Sequence, residues 1–300
     1  MELILLGLLG LGIAAPLMGV LDSGSDTEQD SENDSDSDSD TDAEQDSAQT
    51  DGSNMLTTLL GNDEANEFTV DDDITTGFQV QANGGNDTIR TAAGDDRIFA
   101  GSGNDNVHSG DGDDRVFLAD GDDFWSDLTG RNDPEFGGDD FVRGGSGADG
   151  LTSLGGSDTL FGDTGDDLLN TEDFLTQHNG NGAQADQVSG GFGDDTIRAD
   201  DGDTVTGGEG QDRISVSLSP GFGQDPNAAQ DWAPVVITDF NPDEDVLEAD
   251  LPSEAIDAGH TLGFTGRDGE EITLTYGPFK IATLTGVSFS DLTSENFTLR

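Results

Sequence analysis

Between Ala100 and Ser126 the chain reads AGSGNDNVHSGDGDDRVFLADGDDFWS, with Asp105, Asp114 and Asp123 each standing two residues before Val107, Val116 or Trp125. A nine-residue frame started at Ala82 gives five uninterrupted units to Ser126. Four more units run from Glu135 to Asn170, and four, two of them imperfect, from Asn181 to Ser215. The position two places after the aspartate is apolar throughout: Ile89, Ile98, Val107, Val116, Trp125, Val142, Leu151, Leu160, Leu169, Val188, Ile197 and Ile214. Acidic filler would not hold that register. Each unit ends in a short segment such as Thr88-Ile89-Arg90, where alternation buries the middle residue and exposes its neighbours. The six residues before it are mostly Gly, Asn and Asp, which accept left-handed backbone and tight turns. Strand and turn alternate, so the chain coils.

If one unit makes half a coil, two units return the chain to the same edge, about 4.8 Å further along the axis. Asp87, Asp105 and Asp123 then stack on one edge, and Asp96 and Asp114 on the other. Two unit charges about 5 Å apart repel by roughly 1 kcal/mol in water, and by several times that in a less polar surround. Each ladder therefore opposes its own coil unless a cation intervenes. Calcium suits the task, since it takes six to eight carboxylate and carbonyl oxygens in a flexible geometry, whereas magnesium demands a stricter octahedron and keeps its waters. With no cysteine, and only His108, His178 and His260, zinc or copper chemistry has little support.

The clearest copies, GGSGADGLT (144–152), GGFGDDTIR (190–198) and GGEGQDRIS (207–215), match G-G-x-G-x-D-x-U-x. The pattern resembles the calcium-binding repeat of the RTX (repeats-in-toxin) family, and it covers nearly half the chain. The resemblance implies an all-β fold, a parallel β-roll followed by a C-terminal β cap domain. It also implies that motif aspartates and turn carbonyls hold several Ca2+ ions. Carried over to matching positions, the ligands are Asp87, Asp96, Asp105, Asp114, Asp123, Asp140, Asp149, Asp158, Asp167, Asp195 and Asp212. Unit 181–189 has Gln184 in place of a glycine and unit 199–206 is one residue short, so Asp186 and Asp203 are left out. The inserts 127–134 and 171–180 read as loops or decayed units, and they leave open whether the ladders continue past them.

Acidic residues outnumber basic ones 65 to 10, and Lys280 is the sole lysine. Such a surface repels nucleic acid and anionic lipid. Residues 3–21, LILLGLLGLGIAAPLMGVL, are long enough to span a bilayer and fit a membrane tether or a cleaved signal. Glu2 at the start and Pro16 after Ala15 favour the tether. Residues 22–53, with 13 acidic positions in 32, form a disordered acidic linker that cannot bury enough surface to order itself. Residues 54–81 read as N-terminal capping strands, 82–215 as the roll, and 216–300 as a C-terminal β domain. Within that last region PVVITDFNPDEDVLEADL and LTGVSFSDLTSENFTLR look like the segment that follows the roll in RTX proteins exported by the type I secretion machinery.

The function expected is an extracytoplasmic calcium-binding structural protein, secreted or held at the cell surface, whose roll folds on binding Ca2+. A surface adhesin is the alternative. The mixed outward residues beside the strand centres, such as Thr88 with Arg90 and Phe124 with Ser126, suit no ice lattice. A secreted hydrolase ranks lower: neither H-E-x-x-H nor G-x-S-x-G occurs, and only carboxylates such as Asp239, Asp243 and Asp245 offer acid or base chemistry.

Overall fold

The computed structural model describes residues 56–71, 74–127, 137–172, 185–200, 202–217, 233–251, 260–267, 271–277 and 279–300. The tether or signal at 1–21, the acidic linker at 22–53, and the inserts apart from Asp127, Thr171 and Glu172 lie outside the described residues. Among the described residues no helix is long and apolar enough to cross a membrane.

The repeats form two parallel sheets, and the chain passes from one to the other at every turn. The first sheet stacks Thr57–Leu60, Phe78–Gln81, Arg97–Ser102, Arg115–Asp120, Phe141–Ser146, Thr159–Thr164, Gln187–Phe192, Thr204–Glu209 and Val235–Ile237. The second stacks Glu67–Thr69, Thr88–Arg90, Asn106–His108, Phe124–Ser126, Gly150–Thr152, Leu168–Asn170, Thr196–Ala199, Arg213–Ser217, Val246–Asp250 and Phe297–Leu299. This is a β-roll. Both sheets run past the limits of the nine-residue period, because Thr57–Leu60 and Glu67–Thr69 add rungs at one end, and Val235–Ile237 and Val246–Asp250 at the other. After Val235–Ile237 the first sheet takes Phe279–Thr285 in parallel. It then turns antiparallel through Glu271–Tyr276 and Leu262–Gly266.

In every half-coil the strand-centre side chain fills the space between the sheets, with Ala100, Leu118 and Val216 among those adding to it. Every apolar position read from the repeat is buried, and Val80, Val205, Ile237 and Leu247 continue the file. The registers pair them directly: Ile98 with Val116, Val142 with Leu160, Val107 with Trp125. A core this thin has little room to close over a gap. Leu160→Ala is therefore expected to cost about 2–5 kcal/mol, measured by urea unfolding in saturating calcium. A loss below 0.5 kcal/mol, on the order of a surface substitution, would mean that the sheets collapse onto the space.

On the outer side of the first sheet Phe99, Phe117, Phe141 and Phe161 form a file, with ring centroids 5.2, 5.9 and 5.7 Å apart. The Arg97 and Arg143 guanidinium groups lie 5.8 and 5.6 Å from the Phe99 and Phe161 rings.

Candidate metal centre

Each turn ends in an aspartate whose backbone enters the next strand and whose side chain folds back into the turn. At the first edge, where the chain leaves the first sheet, one Asp Oδ1 accepts the amide of the aspartate one coil before it. Asp87 N donates to Asp105 at 2.7 Å, Asp105 to Asp123 at 2.7 Å, Asp149 to Asp167 at 2.8 Å, and Asp195 to Asp212 at 3.0 Å. At the second edge the same bond runs from Asp96 to Asp114 and from Asp140 to Asp158, at 2.8 and 2.7 Å. The stacking expected of Asp87, Asp105 and Asp123 on one edge, and of Asp96 and Asp114 on the other, is what the structure shows. All eleven aspartates read from the motif lie in these two ladders and are buried.

The ladders also cross the inserts. Asp114 N reaches Asp140 and Asp123 N reaches Asp149, at 2.8 and 2.9 Å, across the first insert. Asp158 N reaches Asp186 and Asp167 N reaches Asp195, at 2.7 and 2.8 Å, across the second. Asp186 and Asp203, which the sequence pattern leaves out, occupy regular places in the second ladder, the Asp186 amide donating to Asp203 at 2.9 Å. The bond needs an aspartate and the strand behind it, so neither the Gln184 substitution nor the missing residue removes it. Two further members carry no repeat signature. Asn66 N donates to Asp87 at 2.6 Å, and Asp212 N donates to Asp245 at 3.1 Å, extending the first ladder at both ends. The signal for both was the apolar residue two places on, Phe68 and Leu247.

A second set of bonds runs the other way, one residue earlier in each turn. Asn104 N donates to Asn86, Asp122 N to Asn104 and Ala148 N to Asp122, at 3.1, 3.3 and 3.0 Å. These side chains are exposed. Each coil is thus tied to both neighbours by side chain to backbone bonds of opposite sense.

The ladder bond uses only one carboxylate oxygen. The other, Oδ2, is buried without a hydrogen-bond partner in ten of the eleven: Asp87, Asp96, Asp105, Asp114, Asp123, Asp140, Asp149, Asp167, Asp195 and Asp212. In the eleventh, Asp158, the Ser153 hydroxyl donates to it. At four of these oxygens glycine keeps the adjoining space open. A Cβ at Gly144, Gly162, Gly190 or Gly207 would stand 2.3, 2.3, 2.1 or 2.4 Å from Oδ2 of Asp149, Asp167, Asp195 or Asp212. Burying a carboxylate oxygen without a donor or cation costs several kcal/mol, on the order of the desolvation of a charge.

The carboxyls respond accordingly. Burial, reinforced by neighbouring ladder carboxylates, pushes Asp105 up to about 6 and Asp149 and Asp195 up to about 7. It pushes Asp167 and Asp212 up to about 6, with Asp163 and Asp166 adding to Asp167 and Asp245 and Asp239 adding to Asp212. Burial raises Asp87, Asp96, Asp123 and Asp158 as well, and lifts the strongly coupled Asp114 and Asp140 well above the ordinary carboxylate range. Among the described residues no three carboxylate or imidazole side chains converge on one point. A cation at these turns would draw most of its oxygens from the backbone, as calcium permits and zinc does not. The donor set fits calcium.

Of the carboxylates weighed for acid or base chemistry, Asp239 accepts the amides of Gly207 and Gly208, one with each oxygen, both at 2.9 Å. Asp245 accepts from Asp212 with one oxygen and from Asn241 with the other, at 3.1 and 2.7 Å. Asp243 is exposed.

No curated protein matches the chain. Among solved structures it is similar to the extracellular lipase LipA from Serratia marcescens, at 15% identity and a TM-score of 0.23, over 75% of this chain and 45% of the lipase. The chain thus spans less than half the length of that protein. The RTX calcium-binding nonapeptide repeat matches four times, over residues 79–107, 91–124, 136–169 and 181–214. Such repeats bind multiple Ca2+ ions and are typical of secreted proteins. The two-sheet coil of this chain is built from RTX calcium-binding nonapeptide repeats, and the chain is an RTX repeat protein.

Proposed function

We propose that the chain is a structural protein of the extracytoplasmic space whose roll is unfolded at cytosolic calcium and forms when the ion becomes abundant outside. The observation that carries this reading is the row of buried, partnerless Oδ2 atoms. Asp87, Asp96, Asp105, Asp114, Asp123, Asp140, Asp149, Asp167, Asp195 and Asp212 would each offer that oxygen, and Asp158 would do so after release from Ser153. Bound calcium supplies the positive charge and the coordination that these oxygens lack. The aspartates meanwhile keep Oδ1 on the amide of the preceding coil, so one side chain both orders its neighbour and faces the ion. At Asp149, Asp167, Asp195 and Asp212 the glycine beside the oxygen keeps a Cβ atom out of the site.

Many weak sites that exist only in the folded coil make folding steep in calcium, since each adds RT ln(1 + [L]/Kd) to stability. Residues 3–21 would tether the roll or direct its export, and residues 216–300 would cap it and engage a type I secretion system. Both oxygens of Asp239 and of Asp245 being held by backbone amides supports a structural protein rather than a hydrolase.

Circular dichroism of the full chain is expected to show little β signal in calcium-free buffer and a cooperative rise between about 0.1 and 1 mM calcium. Equal β signal with and without calcium would overturn the proposal.

A further inference from the structure

The two edges of the roll differ at the first position of the turn. On the first edge that residue is Ala82, Ala100, Leu118, Gly144, Gly162, Gly190 or Gly207, none with a polar side chain. On the second edge it is Thr91, Ser109, Asp127, Ser153 or Thr171, all polar and all buried, before the apolar Ala199 ends the run. These five stand side by side, because Arg90 pairs with His108, His108 with Ser126, Ser126 with Thr152, and Thr152 with Asn170 in the second sheet. Two of the hydroxyls serve the adjoining carboxylates: Ser153 donates to Asp158, and Thr171 donates to Asp203 at 2.9 Å. The Thr91 hydroxyl donates to the Ser109 carbonyl at 2.6 Å, and the Ser109 hydroxyl accepts the Trp125 indole N–H at 3.1 Å.

Asp127 breaks the column, because it brings a second carboxylate where its neighbours bring a donor. It is only 6% exposed. Its Oδ2 accepts the Leu154 amide at 3.0 Å, and its Oδ1 is buried with no partner. The ladder carboxylate of the same coil is Asp140, whose Oδ2 is likewise buried with no partner. Asp127 is near enough to add to the charge that raises both Asp140 and Asp158. Two donorless carboxylate oxygens therefore share one buried corner.

We infer that Asp127 and Asp140 together hold the divalent cation of this turn, calcium by its affinity for hard oxygens, so that one turn places two carboxylates of one coil on its ion where the other repeat turns place one. The ligand set adds the Asp127 side chain to the turn oxygens around Asp140, so this site binds more tightly than its neighbours and fills first. The inference rests on the calcium-binding reading of the roll.

The test is calcium titration of the full chain by calorimetry, with the bound ion counted by equilibrium dialysis. Asp127→Ser restores the hydroxyl of the column, and Asp127→Asn keeps the shape while removing the charge. Both are expected to bind the wild-type number of calcium ions but to lose the tightest step, while reaching the wild-type β signal in excess calcium. An unchanged first step in either variant would overturn the inference and leave the calcium reading of the roll intact. A wild-type chain that binds no calcium would instead sink the broader reading.

Discussion

Gly165→Val is expected to abolish the calcium-induced β signal altogether. The Gly165 φ is +140°, a region where a β-branched residue is strained by about 1–3 kcal/mol. The larger problem is the stack. A Cβ there would lie 1.7 Å from the Gly147 carbonyl oxygen of the coil before, and backbone cannot rotate away as a side chain can. Two coils would have to separate, breaking the Asp149 to Asp167 bond and the Gly147 to Thr164 bond that hold them at this point. Against a typical domain stability of roughly 5–15 kcal/mol, that combination leaves little folded protein. Gly150→Ala is the control. Its Cβ would meet the Phe124 ring at 3.3 Å with no unusual backbone angle, and a change of about 1 kcal/mol or less is expected. Dichroism of both variants in millimolar calcium decides the matter: a folded Gly165→Val chain would show that the coils are not in the contact described.

The response to acid should reverse sign with calcium. In the metal-free chain, burial sets the carboxyls of Asp105, Asp167 and Asp212 near 6, and those of Asp149 and Asp195 near 7, against an ordinary 3.8. A carboxyl raised by folding binds protons in the native state that the unfolded chain releases. Stability is then greatest below the ordinary value and is lost as pH climbs through the raised ones. Whatever β structure the calcium-free chain forms should accordingly be greater at pH 5 than at pH 8. With calcium present the carboxylates must be ionised to bind, so the metal's contribution falls as pH drops through about 6 to 7. The β signal measured at both pH values is expected to fall with pH without calcium and to rise with pH at sub-saturating calcium. Acid also reduces the overall charge, but Asn at positions 149 and 195 should flatten the calcium-free slope, an effect that general charge reduction would not produce. A calcium-free β signal that rises with pH would contradict the picture.

What the sequence discloses is whatever the nine-residue period enforces locally. Ile89 to Ile214 were legible as a core because each sits in a fixed place relative to an aspartate, and the two ladders followed from halving the coil. Asp245 carried only the weak signal of Leu247 two places on, since 33 residues separate it from Asp212 and no glycine motif surrounds it. Asp186 and Asp203 looked doubtful because their units lack a glycine or a residue, yet the bond that places them uses only the aspartate and the strand behind it. Asp127 falls at the start of an insert, where the frame stops. Only the pairing of Ser126 with its neighbours shows that it belongs beside Ser109 and Ser153. The hydroxyl column on the second edge went unread for the same reason, as a repeat averaged over all units mixes the two edges together.

Asp114 bonds to Asp140 across 26 residues with the same reach as Asp96 to Asp114 across 18. A polymer that keeps its pitch while its sequence lengthens at a corner can accept cargo there, because extra chain enters and leaves at one point and each doubling of a loop adds only about 0.6 kcal/mol. The corners after Asp127 and Glu172 are therefore natural ports for grafting a foreign epitope or a small module, displayed at a chosen height along a rod that calcium would assemble.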